Sequence, residues 1–189
     1  MANADTPRGA RPVYSGNGGS WNGNTMLCAL LAADGTATFV GDFVKLSGTA
    51  DATTGAPSIA QAAATDPIFG CIVGFQPDLT NLNLNYRLAS TLRYAYVCID
   101  KDVIYEMQED SVGNNLAITE VGLATDIVVG SGSTVTGASA MELDSSDTAT
   151  AAGQVRILGL VRKPDNEIGA NAKWLVQIAE HQLNSATDV

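Results

Sequence analysis

The chain has few of the side chains from which catalytic and metal sites are built. Its 189 residues include one histidine, His181, and three cysteines, Cys28, Cys71 and Cys98. The cysteines are widely spaced in apolar runs, with no CxxC motif and no cysteine–histidine pairing. No GxSxG motif occurs, and no glycine cluster has the sequence of a phosphate-binding loop. We therefore expect no catalytic residues, no metal and no cofactor, and cysteines buried as small hydrophobic side chains in a reducing compartment.

Long hydrophobic runs and an excess of basic residues are also absent. No stretch of 18 or more apolar residues exists, so we expect no transmembrane helix and no membrane partner. Residues 1–23 lack the apolar core of a signal peptide, which predicts that the protein stays in the cytoplasm where it is made. Ten basic against twenty acidic residues give a net charge of −10. That charge opposes binding to a phosphate backbone, so we expect no nucleic-acid partner.

The acidic residues form no recognisable calcium loop. Those between Asp100 and Asp110 lack the regular spacing and the closing glutamate of an EF-hand. Alternation along a strand at 103–108 instead places Glu106 and Gln108 on one face, which we expect to be solvated. His181 follows the last predicted strand, where we expect it to lie at the surface or to serve in packing.

What the chain does have is many short apolar runs bounded by turn residues, a pattern that predicts strands. The predicted strands lie at 25–33, 38–46, 58–61, 69–75, 94–99, 103–108, 127–132, 155–162 and 173–179. The dipeptide Asp34-Gly35 predicts a hairpin between the first two strands, and residues 100–102 predict a second one between 94–99 and 103–108. Residues 77–88, where leucine alternates with asparagine, are expected to form an extended excursion, and residues 141–153 to contain a polar loop.

One helix is plausible, at 110–126, although two internal glycines weaken it. A chain with many strands and one short helix is expected to be mainly β. Closed or stacked sheets protect exposed strand edges, so we predict a single compact β-barrel or β-sandwich-like domain over residues 25–189.

The first 24 residues differ from the rest, with five glycines, two prolines and no hydrophobic periodicity. We expect residues 1–24 to form an extended N-terminal arm that does not fold against its own domain, so that its deletion leaves the body folded. The arm is locally positive ahead of an acidic body, and a lone tryptophan is costly to leave in water. We therefore predict that Arg8, Arg11, Tyr14 and Trp21 bind a partner. The alternative for Trp21 is that it folds back as the first core residue of its own domain.

Several segments together carry a resemblance to a known family. The opening MANADTPRGARPV followed by SWNGN, and then IFGCIVGFQPD, YVCIDKDVIYEMQED, MELDSS and RILGLVRKPDNEIGANAKWLVQIAEHQ, span nearly the whole chain. In this order they resemble the head decoration proteins of tailed bacteriophages, also called capsid cement or stabilising proteins. None of the segments is a catalytic signature, so the resemblance rests on their combination.

The resemblance implies a structural virion protein without enzymatic activity. Such a protein binds the outer surface of an icosahedral head after assembly in the host cytoplasm, and bridges neighbouring major capsid subunits against the pressure of packaged DNA. It also implies a homo-oligomer, a trimer or a dimer. The three cysteines and the asparagine-rich stretch 79–85 have no counterpart in the family pattern.

A second hypothesis is a glycan- or receptor-binding module on a virion surface, in which aromatic side chains stack on sugars. Its residues would be Trp174, Tyr86, Tyr94 and Tyr96. Alternation around Trp174 instead suggests that this side chain belongs to the core.

Overall fold

The computed structural model of the protein describes residues 3–149 and 152–184. Strands contain 41% of the residues and helix 2%, which confirms the expected mainly β fold. The strands are β1 (Arg11–Ser15), β2 (Met26–Leu30), β3 (Phe43–Ala50), β4 (Pro57–Gln61), β5 (Gly70–Phe75), β6 (Arg93–Cys98), β7 (Val103–Gln108), β8 (Ala124–Val128), β9 (Glu142–Ala149), β10 (Val155–Leu160) and β11 (Lys173–Ile178). A single 3-10 turn, Ile118–Glu120, is the only helical element within the described residues.

Five strands close into a barrel in the order β2-β4-β3-β5-β6. Neighbouring strands are antiparallel except β2 and β4, which are joined in parallel at Ala29 and Ser58. The barrel interior is filled by a compact apolar cluster of Cys28, Leu30, Val44, Ile59, Phe69, Ile72, Ala95 and Val97. Closure leaves these five strands without a free edge, which removes a route to aggregation.

The other six strands form an antiparallel sheet in the order β1-β7-β11-β10-β8-β9. Its inner face packs against the outside of the barrel through a second and larger cluster, which includes Phe43 and Cys71 of the barrel and Tyr105 and Trp174 of the sheet. The rings of Phe43 and Tyr105 meet edge to face at 5.4 Å between centroids. Trp174 is fully buried, as the alternation of its strand predicts.

Both predicted hairpins are wrong, although most of the strands are present. β2 pairs with β6 and β4, and the loop after it is held by the side chain of Arg87. β6 belongs to the barrel and β7 to the sheet, so the turn at 100–102 carries the chain from one layer to the other. The turn at 100–102 is present, whereas the first turn lies at residues 32–33 rather than at Asp34-Gly35. In both cases tertiary partners separate the strands that flank the turn.

Other predicted segments are confirmed or changed by packing. β10 and β11 pair as an antiparallel hairpin, β5 carries a bulge between Ile72 and Gly74, and residues 77–88 lie outside any strand. The helix expected at 110–126 shrinks to the turn Ile118–Glu120, and the polar loop expected in 141–153 is largely strand β9. β9 lies at the sheet edge, where it pairs antiparallel with β8 and where its Leu143 also forms a single parallel bridge with Glu109.

The face of β7 that bears Glu106 and Gln108 is buried, contrary to expectation. Gln108 donates to Asp5 Oδ1 at 3.0 Å and to Glu142 Oε1 at 2.9 Å. Glu106 forms an ion pair with Lys163 at 2.7 Å. The N-terminal segment and neighbouring strands therefore cover this face, which alternation alone could not show.

The described residues contain no helix long and apolar enough to span a membrane. Residues 3–149 and 152–184 also contain no group of three or more histidine, cysteine or acidic side chains placed to hold a metal ion. Cys28, Cys71 and Cys98 are free and buried, as predicted.

Glu109 is a fully buried acidic residue directly after β7. Its Oε2 accepts the backbone N–H of Leu116 at 2.6 Å, and the indole of Trp174 faces it without a hydrogen bond of ordinary geometry. Burial raises the pKa of Glu109 to about 6. The N–H groups of Leu116 and Ala172 and the indole of Trp174 lower it and so partly offset the rise. The folded state therefore binds this proton more tightly than the unfolded state does.

Because the pKa of Glu109 is higher in the folded state, its contribution to stability should fall as pH rises from about 4.5 to about 6. We expect Glu109→Gln to remove that component of the pH dependence. Urea unfolding of both proteins between pH 4 and pH 7 measures it. The free energy of unfolding of the wild type should decline relative to that of the variant across this interval, and parallel curves would contradict the assignment.

Candidate protein-interaction site

The N-terminal segment lies on the body rather than extending from it, which corrects the expectation of an arm that does not fold against its own domain. β1 pairs antiparallel with β7, from Arg11 opposite Glu106 to Ser15 opposite Val103. The side chain of Asn3 donates to the carbonyls of Glu167 and Ala170 and accepts the N–H of Glu167. The segment has no apolar periodicity, and backbone hydrogen bonds between β1 and β7 hold it on the body instead.

A crossing of two glycines fastens this segment to the barrel. Gly9 and Gly41 both have left-handed backbone conformations, with φ of 65° and 98°. A Cβ on Gly9 would lie 2.3 Å from the carbonyl oxygen of Gly41, and one on Gly41 would lie 2.3 Å from that of Arg8. Only glycine at both positions allows the two backbones to touch. The N–H of Ala10 then donates to Gly41 O at 2.8 Å.

Beneath the crossing lie two of the three cysteines. Cys71 and Cys98 are paired across β5 and β6, and Cys71 Sγ donates to the carbonyl of Ala10 at 3.2 Å. Burial raises the pKa of both thiols, and each is fully enclosed. Neither is a nucleophile in this state, since the thiolate is the reactive form.

A groove of about 490 Å³ opens beside the crossing. It brings together three of the four residues that the sequence predicted for partner binding: Arg8, Arg11 and Trp21. Tyr14 is exposed on β1 and does not line the groove. The other walls come from Val40 and Gly41, from Ile72 and Val73 of β5, and from Asn85 and residues 136–138.

Trp21 forms part of the groove wall and is also packed on the core. It is partly buried against the larger cluster, and its Nε1 is enclosed. Burial raises the pKa of Cys98 and the indole of Trp21 acts against that rise, so the polar end of the indole faces this thiol. Trp21 therefore does fold back onto its own domain, which is the alternative that the sequence left open, and carbon atoms of the ring are what it offers to the groove.

The groove is cationic on an acidic protein. Its lining includes two arginines and no acidic side chain, whereas the whole chain has a net charge of −10. Within the described residues, neither the Arg8 nor the Arg11 guanidinium has an ion pair or a hydrogen bond. Both side chains are exposed. These two charges are therefore available to a partner.

A second surface feature is the leucine loop, defined here as residues 79–92. Leu79 is 91% exposed and Leu82 76% exposed, and Leu88 and Leu92 are also accessible. The loop contains one charged residue, Arg87, which is fully buried. Its outer surface is thus uncharged and rich in leucine.

Two buried arginines hold the leucine loop in place. Arg93 donates to the carbonyls of Leu84 and Tyr86 and stands 5.0 Å from the centre of the Phe75 ring. Arg87 donates to the carbonyls of Thr91, Thr36, Leu31 and Asp34 and pairs with the Asp34 carboxylate at 3.4 Å. Burial lowers the pKa of each, and nearby Asp34 or Asp78 acts against the shift.

Sequence reasoning missed both arginines as organisers of the loop. The available signal was their isolation: Arg87 stands alone in a stretch of leucine and asparagine on a chain with only ten basic residues. Their burial could not be predicted from the sequence, because the carbonyls that accept their hydrogen bonds are as many as 56 residues away along the chain.

The aromatic residues of the glycan hypothesis do not form a joint platform. Trp174 is in the core, and Tyr86 stacks on Phe39 at 5.1 Å between ring centroids. Tyr94 donates its hydroxyl to Asp51 at 2.9 Å. Tyr96 is exposed on β6. A sugar would therefore meet single rings rather than a continuous stacking surface.

His181 has a structural role, in agreement with the packing alternative. It is buried, its Nε2 lies 3.1 Å from the carbonyl of Ile99, and its Nδ1 accepts the N–H of Leu183. Burial lowers the pKa of His181, which favours the neutral imidazole.

Comparison of the chain with models of protein families, with curated proteins and with solved structures finds no match.

We expect Gly9→Ala to displace the N-terminal segment, because its Cβ would overlap the backbone of Gly41. The matched control is Gly55→Ala, since Gly55 has a similar φ of 71° but no atom within 4 Å of the position that a Cβ would take. Thiol labelling read by peptide mass should show faster modification of Cys71 and Cys98 in Gly9→Ala, while Cys28 inside the barrel stays protected. Equal protection of Cys71 in both variants would show that the crossing does not hold the segment.

Arg87→Met should loosen the leucine loop, since it leaves several buried carbonyls and the Asp34 carboxylate without their donor. We expect a loss of about 3 kcal/mol in the free energy of unfolding. Arg162→Met, at an exposed arginine, is the control and should change stability by less than about 0.5 kcal/mol. Chemical denaturation measures both, and similar small losses would argue against the anchoring role.

Proposed function

We propose that this protein is a structural component of a virion that decorates the outside of an icosahedral bacteriophage head. It binds neighbouring major capsid subunits and stabilises the shell against the pressure of packaged DNA. It acts without enzymatic activity and as a homo-oligomer, a trimer or a dimer. The family resemblance supplies this hypothesis, and the surface of the molecule supports it.

The observation that carries the proposal is the leucine loop. Leu79 and Leu82 are exposed on a loop held by two buried arginines. Exposed apolar side chains on an ordered loop are typical of protein-binding surfaces, because burial against a partner removes them from water. A pre-formed loop also loses little conformational entropy when it binds.

The lack of charge on the loop suits a large protein surface as its partner. An acidic molecule is repelled by other acidic surfaces wherever its own charges approach them. The leucine loop presents no exposed charged side chain between residues 79 and 92. It can therefore approach a shell subunit, or another copy of this chain, without that repulsion.

Bridging requires more than one contact, and the groove provides a second. Two contacts on one rigid body raise the apparent affinity through effective concentration, so neither needs to be strong alone. Because the N-terminal segment is part of the body, removal of residues 1–23 would also remove β1 and uncover Cys71. We now expect that deletion to destabilise the fold, so point substitutions are the better test.

The test is binding to purified phage heads assembled without this protein. The double variant Leu79→Asp, Leu82→Asp should reduce occupancy at least about tenfold, since two apolar contacts are replaced by charges. The matched control is Val112→Asp, Ile118→Asp, which introduces two charges at exposed apolar side chains outside the loop, 65% and 70% exposed. Co-sedimentation with heads measures occupancy.

Each outcome of this experiment has one meaning. Saturable binding by the wild type and by the control Val112→Asp, Ile118→Asp, with loss in Leu79→Asp, Leu82→Asp, supports decoration through the leucine loop. Equal binding by all three proteins rules out the loop as the contact. A wild-type protein that does not bind heads at any concentration rules out the decoration function itself.

A further inference from the structure

We infer that the groove beside the glycine crossing binds an acidic peptide segment that carries one large apolar side chain. The segment would be a surface stretch of a shell subunit, so its source rests on the proposed function, whereas its chemistry rests on the groove. This assigns a ligand class to a site that the sequence marked only as partner-binding.

The charge of the ligand follows from the two arginines. Arg8 and Arg11 line the groove, are exposed, and have no ion pair or hydrogen bond within the part of the chain that the structure describes. Guanidinium groups bind carboxylates with two parallel hydrogen bonds, which makes an acidic side chain their natural partner. The groove lining holds no acidic residue. Both arginines also line a neighbouring cavity that contains Glu106 and Asp165, but within the described residues neither guanidinium forms an ion pair with them, and Glu106 is paired with Lys163.

The positions of Arg8 and Arg11 in the sequence limit the distance between their backbones. Residues three apart are at most about 10 Å from Cα to Cα, which is an upper bound on the separation of the Arg8 and Arg11 backbones. An extended peptide spans that distance in two or three residues. A short peptide with two carboxylates, one on either side of an apolar side chain, can therefore reach both arginines, and it is the ligand we test.

The apolar side chain follows from the groove walls. Trp21, Val40 and Val73 contribute carbon surface, whereas Ile72 lines the groove but its side chain is fully buried in the barrel. The polar end of the indole faces Cys98. A volume of about 490 Å³ is ample for a leucine or phenylalanine side chain. Asn85 also lines the groove, and its Nδ2, which donates to the carbonyl of Val135 at 3.5 Å, has a second N–H that can pair with the peptide backbone.

A nucleic acid is a poorer occupant of the same groove. Phosphate chains bind through many cations, and this groove offers two on a chain of net charge −10. Backbone phosphates beyond the groove would meet the acidic body. A peptide with two carboxylates has no further charge to place.

The experiment uses the full-length protein and three peptides, each amidated at its C-terminus and labelled at its N-terminus with an uncharged BODIPY dye: Gly-Asp-Leu-Glu-Gly, its neutral form Gly-Asn-Leu-Gln-Gly, and Gly-Asp-Ala-Glu-Gly without the apolar side chain. Anisotropy should show saturable binding of the first peptide, and at least about tenfold weaker binding of each of the others. Binding of the acidic leucine peptide should weaken as salt is raised from about 50 to about 300 mM.

The variant Arg8→Gln, Arg11→Gln should bind the acidic leucine peptide at least about tenfold more weakly than the wild type does. The control Lys101→Gln, Arg162→Gln removes two exposed charges away from the groove and should bind as the wild type does. Equal binding by the two double variants would overturn the inference, as would equal binding of the acidic and neutral peptides. Tighter binding of a short single-stranded oligonucleotide than of the acidic peptide would also overturn it.

The outcomes separate this inference from the proposed function. If the wild type binds heads but no acidic peptide, the groove assignment is wrong and decoration stands. If it binds the acidic peptide through Arg8 and Arg11 but never binds heads, the groove assignment stands and the shell is not its source. Sedimentation of the wild type and of Arg8→Gln, Arg11→Gln tests the remaining source. If self-association disappears only in that variant, the groove holds a second copy of this chain and the inference is overturned.

Discussion

The contact on which the rest of the molecule depends is the crossing of Gly9 over Gly41. Two backbones meet there without side chains between them, and each glycine adopts a left-handed conformation. The crossing places the Ala10 carbonyl over Cys71 and directs the chain into β1 at the edge of the sheet. One close approach of backbone thus covers the core between the two layers and also forms one side of the groove.

Buried charge has a second organising role in this protein. Arg87 and Arg93 direct their hydrogen bonds mainly to backbone carbonyls of loops. Loops that lack strands of their own are thereby fixed from within, and their leucines stay in water. Arg8 and Arg11 are the opposite case, since they remain exposed and without a partner in the described part of the chain. Burial therefore distinguishes structural arginines from those available for binding.

Much of the fold could be predicted because strands leave a local pattern. Alternation identified β10, β11 and the buried Trp174, and apolar runs identified β5 and the buried cysteines. Pairing could not be predicted in the same way. β2 has its partners about 30 and 70 residues away, and the polar strand β9 has no apolar pattern of its own. Of the site, Arg8, Arg11 and Trp21 could be chosen by composition, whereas Arg87, Arg93 and the groove could not.

The N-terminal segment shows which properties the sequence determines and which the tertiary structure decides. Its sequence alone determined that it is extended, positively charged and unable to form a core of its own, because those properties depend on local composition. Whether it extends into solvent or lies on the body was decided by tertiary structure. The contacts that hold it, from Gly9 to Gly41 and from β1 to β7, are formed by backbone atoms that every residue possesses. Backbone complementarity of this kind leaves almost no trace in the identity of the side chains, and only the folded chain reveals it.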